Sequence, residues 1–255
     1  MRREDRTFDT LPGAETRVPY TCALFDVGET LIGPAGSFGT LYARVLRARG
    51  LDADPDRCET SLRRSAREMD AALPTGADRY SHFPGGEKAY WARFATRTVS
   101  HATGRTLDAE EALEILGELR ATFRRREAWR VFEDVRPTLT ALREADVRCA
   151  VVSNWDTRLR DVLALNELLT PFEAVVVSAE LGVEKPDPRI FGAALHALSI
   201  APAEALHVGD RIDTDVEGAR AAGIDALWID RKNRPPVPGV ERIVDLREMV
   251  ERFDR

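Results

Sequence analysis

Short apolar runs recur along this chain, and each is followed by polar residues. Runs of this length, bounded by turn signals, are typical of buried strands. Apolar residues at helical spacing fill the segments between them, at residues 137–144, 157–169, 188–198 and 215–222. Because strands and helices alternate, the sequence predicts an α/β fold with a Rossmann-like, doubly wound parallel sheet. The predicted strands are residues 20–25, 148–153, 174–178, 205–209 and 226–230.

One long segment, residues 37–131, breaks this alternation. It contains amphipathic stretches and no convincing strands, so we expect an inserted α-helical cap domain. The Rossmann-like core then consists of residues 20–36 and 132–255. Residues 1–19 are charged and polar, without the apolar run of a secretory signal, and we expect them to form a flexible tail. The amphipathic stretches are residues 38–49, 55–72, 88–101 and 109–126.

Composition excludes several classes of protein. A chain of 255 residues can bury a substantial core, and 44% hydrophobic with 31% charged residues is ordinary for a soluble globular protein. The net charge of -6 gives no basic footprint for nucleic-acid binding. The 3 cysteines are widely spaced and indicate neither a disulfide framework nor a zinc site. No apolar stretch has the length of a membrane helix. The sequence therefore indicates a cytoplasmic protein that binds neither nucleic acid nor membranes.

Polar residues of chemical interest follow several of the predicted strands. Because a doubly wound sheet binds its ligand outside the carboxyl ends of the strands, these side chains are placed to converge. Taken singly, each has a structural explanation: strand-end Asp, Ser and Asn often cap helices, and a Lys often extends along the surface. Their joint order favours a catalytic site. The residues are Asp26, Ser153, Asn154, Lys185, Asp210 and Asp215.

In these residues the chain resembles the haloacid dehalogenase-like hydrolases, specifically subfamily IA, which has a helical C1 cap between its first and second motifs. The resemblance covers nearly everything from Tyr20 to the end of the chain. The most characteristic stretches are FDVGETL at residues 25–31 and VSAELGVEKPDPRIF at residues 177–191. The resemblance implies a phosphatase that needs Mg²⁺ and hydrolyses a small phosphorylated metabolite.

By this resemblance Asp26 is the nucleophile and forms an aspartyl-phosphate. A carboxylate can attack phosphorus only if the negative charges are offset, which calls for a divalent cation and a nearby ammonium. The resemblance places Mg²⁺ between Asp26, the backbone carbonyl of Gly28 and Asp210, a set of hard oxygen ligands. Asp215 is expected to support these ligands without binding the metal itself.

The resemblance also assigns the remaining polar residues of the motifs. Ser153 and the backbone N–H of Asn154 are expected to hold the phosphoryl oxygens. Lys185 is expected to neutralise the nucleophile and the transferring group. Thr30 is expected to form a hydrogen bond that fixes the loop after Asp26.

Position 28 departs from the pattern of the family's phosphatases, which carry a second Asp there to protonate the leaving group. Loss of such a general acid typically costs about 10² to 10⁴ in rate. Glu29 is a possible substitute proton donor, although a turn at the strand end would redirect its side chain. The alternatives are a cap residue, the substrate itself, or an acidic leaving group such as that of an acyl phosphate or a sugar 1-phosphate.

Two other functions stay open at this point. The dehalogenase branch of the family also lacks the second Asp, and it attacks carbon without a metal. The acidic cluster of Asp210, Asp213 and Asp215 suits a cation and favours phosphoryl transfer over that reaction. The third alternative is a phospho-ligand binding or scaffold protein that has little turnover.

Specificity is expected to lie in the cap, which closes over the phosphate and excludes water. A closed helical lid favours a small soluble substrate over a phosphoprotein. For the aromatic candidates, a competing explanation is that they pack inside the cap. For the histidine and for Arg211, the competing explanation is that they lie exposed at the surface. The chain is expected to be a monomer or a homodimer. The cap candidates are Tyr42, Arg44, His82, Tyr90 and Trp91.

Overall fold

The computed structural model of the chain describes residues 19–71, 73–74 and 76–253. Apart from Pro19, the predicted tail of residues 1–19 lies outside the described residues. Within them, the structure consists of an α/β core and a layer of helices that is inserted after the second strand. The predicted α/β fold is confirmed.

The main sheet of the described chain has six parallel strands in the order β5-β4-β1-β6-β7-β8. Most residues of β1, β4, β6 and β7 are buried, which explains why these strands read as continuous apolar runs. From β1, the chain adds β4 and β5 on one side of the sheet and then β6, β7 and β8 on the other. The carboxyl end of β1 therefore lies at the switch point where such sheets bind ligands. The strands are β1 (Cys22–Phe25), β4 (Arg148–Ser153), β5 (Ala174–Val177), β6 (Ala205–Gly209), β7 (Asp225–Ile229) and β8 (Arg242–Ile243).

Helices cover both faces of this sheet. Ala23 and Phe25 of β1 contribute to one apolar cluster, whereas Cys22 and Leu24, pointing the other way, contribute to a second. The first cluster also contains residues of α5 and α6, and the second contains residues of α8 and α9. These helices, with the short α7, are α5 (Val135–Glu144), α6 (Leu159–Leu165), α7 (Ser178–Leu181), α8 (Pro188–Leu198) and α9 (Glu217–Ala221).

The inserted helices have an apolar core of their own. Side chains of Ser37, Asp54 and Asp108 accept hydrogen bonds from the first turns of three of them, which fixes where those helices begin. All of them lie inside the segment predicted as the cap. They are α1 (Phe38–Ala48), α2 (Pro55–Asp70), α3 (Gly86–Thr103) and α4 (Ala109–Phe123).

The expectation that residues 37–131 contain no strand is wrong. β3 (Trp129–Val131) pairs antiparallel with β2 (Ile32–Pro34) and forms a ribbon where the chain enters and leaves the inserted helices. Its residues are only partly buried, so they lack the apolar run that marks the strands of the main sheet. A second difference is the π-helical turn Ile212–Val216 before α9. Among the described helices, none is both long enough and apolar enough to span a membrane.

Candidate active site

The predicted polar residues meet at the carboxyl ends of β1, β4 and β6. Asp26 directly follows β1, and its backbone N–H donates to Val208 of β6 at 2.9 Å. Ser153, the last residue of β4, donates from its hydroxyl to Asp26 Oδ1 at 3.0 Å. These side chains line a cleft of about 760 Å³ together with Lys185, Asp210 and Asp215. The convergence therefore follows from the order of the strands in the sheet.

Lys185 lies between two carboxylates in the floor of this cleft. Its ammonium donates to Asp26 Oδ1 at 2.7 Å and to Asp215 Oδ1 at 2.5 Å, and the residue is 2% exposed. Burial acts to lower the pKa of Lys185, but the two carboxylates outweigh it and hold that pKa above its usual value. The lysine is therefore a buried cation in contact with the predicted nucleophile.

Asp215 can reach this position because residue 209 is a glycine. A Cβ at Gly209 would lie 2.2 Å from Cγ of Asp215, which is a steric overlap. Both carboxylate oxygens of Asp215 are engaged, Oδ1 by Lys185 and His207 and Oδ2 by the backbone N–H of Arg211 at 3.0 Å. Burial acts to raise the pKa of Asp215, but Lys185 and His207 outweigh it and keep the pKa low. Asp215 is thus a fixed anion that holds Lys185 in place.

Asp210 differs from Asp215 in having an unengaged carboxylate. Its backbone carbonyl accepts from Trp228 Nε1 at 3.0 Å, but its carboxylate accepts no hydrogen bond from residues of the described chain. Burial, with the negative charges of Asp26 and Asp215 nearby, raises the pKa of Asp210 to about 7. One ligand oxygen from each of these three aspartates lies within 4.8 Å of the others. This excess of negative charge favours the binding of a cation.

Asn154 braces the loop that carries Lys185. Its side-chain amide donates to the Lys185 carbonyl at 2.9 Å, and its side-chain oxygen accepts from the Lys185 backbone N–H at 2.7 Å. This pair of bonds fixes the backbone of the lysine relative to the end of β4. The predicted role of the Asn154 backbone N–H in holding a phosphoryl oxygen stays a prediction.

The loop after Asp26 explains where Glu29 points. Glu29 has a backbone φ of 57°, in the left-handed region, so the chain turns sharply after Gly28. The carboxylate of Glu29 pairs with Lys232 at 3.4 Å and is not among the three carboxylates that lie within 4.8 Å of one another. The face of Gly28 is covered instead by the indole of Trp155. Glu29 as a proton donor stays a prediction, and its ion pair with Lys232 argues against it.

Thr30 is buried, but its hydroxyl finds no hydrogen-bond partner among the described residues. The predicted side-chain hydrogen bond is therefore not formed with any residue that the structure describes. The loop is held through the backbone carbonyl of Thr30, which accepts from the guanidinium of Arg231 at 2.7 and 3.2 Å. Arg231 in turn pairs with Asp134 at 3.0 Å.

The candidate specificity residues of the cap divide into two groups. Tyr42 and Trp91 line a second cavity between the helical layer and the core. Arg44 is exposed on α1, His82 is exposed in a loop, and Tyr90 is buried in the core of the helical layer. Arg211 lines the cleft but pairs with Asp213 at 2.7 Å.

Three residues of the site region were missed by the sequence reasoning. His207 lies beneath Asp215, Trp155 covers Gly28, and Arg79 forms two 2.9 Å hydrogen bonds with Glu184, next to Lys185. For His207, the available signal was its position on an apolar strand, two residues before Gly209. The other two depend on contacts between distant segments, which no local pattern reveals.

Comparison with known proteins agrees with this geometry. The family model described as haloacid dehalogenase-like hydrolase matches residues 20–223. Haloacid dehalogenase-like hydrolase domain-containing protein 3 from Bos taurus is 32% identical over 216 residues, which are 84% of this chain and 83% of that protein. The chain belongs to the haloacid dehalogenase-like hydrolase family. The resemblance inferred from the motifs is therefore confirmed.

One further curated relative and one solved structure are also similar to this hydrolase. Phosphoserine phosphatase from Thermus thermophilus is 38% identical over 177 residues, covering 67% of this chain and 70% of that protein. The solved structure of the putative HAD-hydrolase YfnB from Bacillus subtilis is similar with a TM-score of 0.71 at 17% identity. That similarity covers 93% of this chain and 100% of the other, and it supports the fold alone.

Proposed function

We propose that this hydrolase is a Mg²⁺-dependent phosphatase that cleaves phosphomonoesters of a small cytoplasmic metabolite through an aspartyl-phosphate on Asp26. The observation that carries the proposal is the contact of Lys185 with Asp26 at 2.7 Å, beside the unengaged carboxylate of Asp210. A buried ammonium on one side and a cation-attracting carboxylate on the other are what a carboxylate nucleophile needs to approach an anionic phosphoryl group.

The residues present fit a magnesium ion. Asp26 and Asp210 supply carboxylate oxygens, Gly28 lines the same cleft, and hard oxygen donors are the ligands that Mg²⁺ prefers. We assign these three residues as its ligands. When bound, the ion would offset the charge of the transferring phosphoryl group. Asp215 is left to hold Lys185, since both of its oxygens are already engaged.

The proposed reaction has two displacements at phosphorus. An Asp26 carboxylate oxygen attacks phosphorus, the bond to the leaving-group oxygen breaks, and that oxygen takes a proton from solvent as it departs. Water then attacks the phosphorus of the aspartyl-phosphate, the bond to Asp26 breaks, the water returns one proton to solvent, and inorganic phosphate leaves. Lys185 and the Ser153 hydroxyl, which both contact Asp26 Oδ1, are placed to neutralise and orient the group in transfer.

The relatives support phosphatase chemistry over the other two functions. Phosphoserine phosphatase from Thermus thermophilus is named for hydrolysis of a phosphomonoester, and it matches two thirds of this chain. A dehalogenase attacking carbon has no use for the uncompensated carboxylate of Asp210. A scaffold protein would need neither the buried lysine nor its three-way contact with Asp26 and Asp215. Oligomeric state, monomer or homodimer, stays a prediction.

The test measures phosphate release from p-nitrophenyl phosphate and a panel of phosphorylated metabolites, with and without Mg²⁺. We expect turnover that requires Mg²⁺ and is abolished by Asp26→Asn. The matched control is Asp213→Asn, which removes an exposed carboxylate from the same acidic cluster and should leave turnover nearly unchanged. Chloride release from 2-chloropropionate, with no phosphate release from any ester, would establish dehalogenase chemistry instead. Binding of phosphate esters without either reaction would establish a binding protein.

A further inference from the structure

A second cavity, of about 440 Å³, adjoins the catalytic cleft between the helical layer and the core. The two spaces share three lining residues, Arg79, Asn154 and Trp155. Asn154 directly follows Ser153, which contacts the nucleophile Asp26. A substrate whose phosphoryl group lies at Asp26 would therefore extend its leaving group into this second cavity.

The walls of this cavity are dominated by aromatic rings. Trp155, which covers Gly28, packs on Trp129 at 5.5 Å between ring centroids, and Trp129 packs on Phe123 at 5.8 Å. A row of rings thus leads from the catalytic loop into the cavity. A cavity of about 150 Å³ is enough to bind benzene, so this one can hold a ring with further substituents. The aromatic lining residues are Phe38, Tyr42, Tyr80, Trp91, Phe94, Phe123, Trp129 and Trp155.

Such walls disfavour a polyhydroxylated leaving group. Burying a hydroxyl without a hydrogen-bond partner costs free energy, whereas burying a ring against other rings is favourable. Leu62, Leu116 and Leu119 extend the apolar lining. The cavity is therefore suited to an apolar group and not to a sugar or glycerol.

Within the part of the chain that the structure describes, charged groups in the cavity wall are paired, with one exception. Arg63 pairs with Glu59, Arg79 with Glu184, and Arg158 with Asp156. Arg120 of α4 has no carboxylate partner among the described residues, and its Nε is buried without a hydrogen-bond acceptor.

A charge in a partly buried wall is costly without a partner, so the unpaired guanidinium of Arg120 favours a ligand that carries the opposite charge. A carboxylate is the acceptor that best suits the unpaired guanidinium.

We propose that the substrate's leaving group is an apolar, ring-bearing group with a carboxylate, whose ring packs between the aromatic walls and whose carboxylate binds Arg120. This inference rests on the proposed function, because it takes the phosphoryl group to lie at Asp26. It narrows the substrate class from small phosphorylated metabolites in general to aryl-bearing phosphomonoesters of a carboxylic acid.

The first test compares ligands that cannot be hydrolysed, in the presence of Mg²⁺. Calorimetric titration should show 4-phenylbutylphosphonate binding at least about tenfold more tightly than butylphosphonate, since the two differ only by the ring. Ala66→Phe, which fills the cavity from α2, should remove this advantage. Equal affinity of the two ligands for the wild-type chain would overturn the proposal.

The second test concerns the carboxylate. A para-carboxyl group on the ring of 4-phenylbutylphosphonate should tighten binding further, and Arg120→Met should abolish that gain while keeping the ring's contribution. Arg124→Met is the matched control, because Arg124 is exposed near the end of the same helix and does not line the cavity. No gain from the carboxyl group, or the same loss in both variants, would overturn the role of Arg120.

Turnover separates this inference from the proposed function. If butyl phosphate is hydrolysed and the ring gives no advantage in binding, the phosphatase assignment holds and the inference fails. If the ring and carboxyl group tighten binding but no phosphate ester is hydrolysed, the cavity assignment holds and the phosphatase assignment fails.

Discussion

Trp155 occupies the space into which a side chain at position 28 would project. A Cβ built on Gly28 would stand 3.3 Å from Cζ3 of the Trp155 indole, closer than an ordinary van der Waals contact. The indole also packs on Trp129, so it cannot move freely. Gly28 and Trp155 together therefore keep a second carboxylate out of the place where this family's phosphatases carry their general acid.

This relationship predicts that a general acid can be restored in two steps. Gly28→Asp alone should raise kcat on butyl phosphate only modestly, because the indole crowds the new side chain. Gly28→Asp combined with Trp155→Ala should raise kcat more, within the range of about 10² to 10⁴ that a positioned acid contributes. The measurement is kcat on butyl phosphate for the wild type, both single variants and the double variant.

Acetyl phosphate is the control substrate for this series, since its leaving group departs without protonation. Its kcat should change little in any of the variants. If the double variant gains nothing on butyl phosphate either, then protonation of the leaving group does not limit the rate and another group already supplies the proton.

The sequence allowed us to predict which polar residues meet in the cleft better than it predicted the side chains around them. Asp26 and Asp210 directly follow strands and Ser153 ends one, and the parallel sheet alone brings such residues together. The contact of Trp155 with Gly28 joins segments about 127 positions apart. Ser153 and Asp26 are separated by the same number of residues. No periodicity or turn signal encodes which side chain fills a given space beside a catalytic loop.

The secondary structure, like the site, was predicted from the sequence in some segments and missed in others. The predicted strand at residues 148–153 matches β4 at both ends, because its apolar run is buried on both faces. β8 has two residues, and β3 is half-exposed, so neither carries a pattern that single-sequence reasoning can detect. The helix predicted at residues 215–222 begins instead as a π-helical turn at Ile212, where Asp215 bends back to reach Lys185.

Magnesium should stabilise the folded chain through Asp210. A ligand at about 100 times its Kd raises the free energy of unfolding by about 2.7 kcal/mol, and the melting temperature should rise with Mg²⁺ accordingly. Asp210→Asn should remove most of this shift because it deletes one of the two carboxylate ligands. Asp213→Asn, an exposed neighbour, should keep it. A thermal melt with and without Mg²⁺ checks this, and an unchanged shift in Asp210→Asn would exclude that residue as a ligand.

Lys185→Met should destabilise the protein by about 3 to 5 kcal/mol, because it leaves Asp26 and Asp215 buried without their shared cation. Asp26→Asn should cost less, since Lys185 keeps Asp215 as a partner. Urea unfolding without metal gives both values. The double variant should lose less free energy of unfolding than the sum of the losses in the two single variants. If the two losses simply added, the two residues would not interact.

His207 should make stability depend on pH. Burial lowers the pKa of His207 below its ordinary 6.5, so the native state keeps it neutral while the unfolded chain takes up a proton. The contribution of His207 to the free energy of unfolding is therefore complete above about pH 6.5 and is lost as pH falls through the lowered native pKa. The free energy of unfolding falls in this range by up to about 1.4 kcal/mol per pH unit. His207→Gln should show a shallower loss between about pH 6.5 and 5 in urea unfolding. The exposed His196→Gln should follow the wild type, and coincident curves for all three would contradict the assignment.

Arg79 should couple the helical layer to the catalytic loop. It follows α2 in sequence, and its guanidinium makes two 2.9 Å hydrogen bonds to Glu184, the residue before Lys185. Arg79→Gln should lower kcat/KM by about tenfold, chiefly through KM, because closure over the substrate loses this clamp. Arg79→Lys should recover little, since an ammonium cannot form the paired bonds of a guanidinium.

Arg79 also lines the substrate cavity, so a second variant is needed to separate the two roles. Glu184→Gln breaks the same clamp from the side of the core, and Glu184 lines neither the cleft nor the cavity beside it. It should therefore reproduce the kinetic defect of Arg79→Gln. Arg63→Gln is the control for loss of a cavity arginine, because Arg63 pairs with Glu59 on the same helix. If Glu184→Gln behaved as wild type while Arg79→Gln was impaired, Arg79 would act by contacting the substrate and not by closing the two layers.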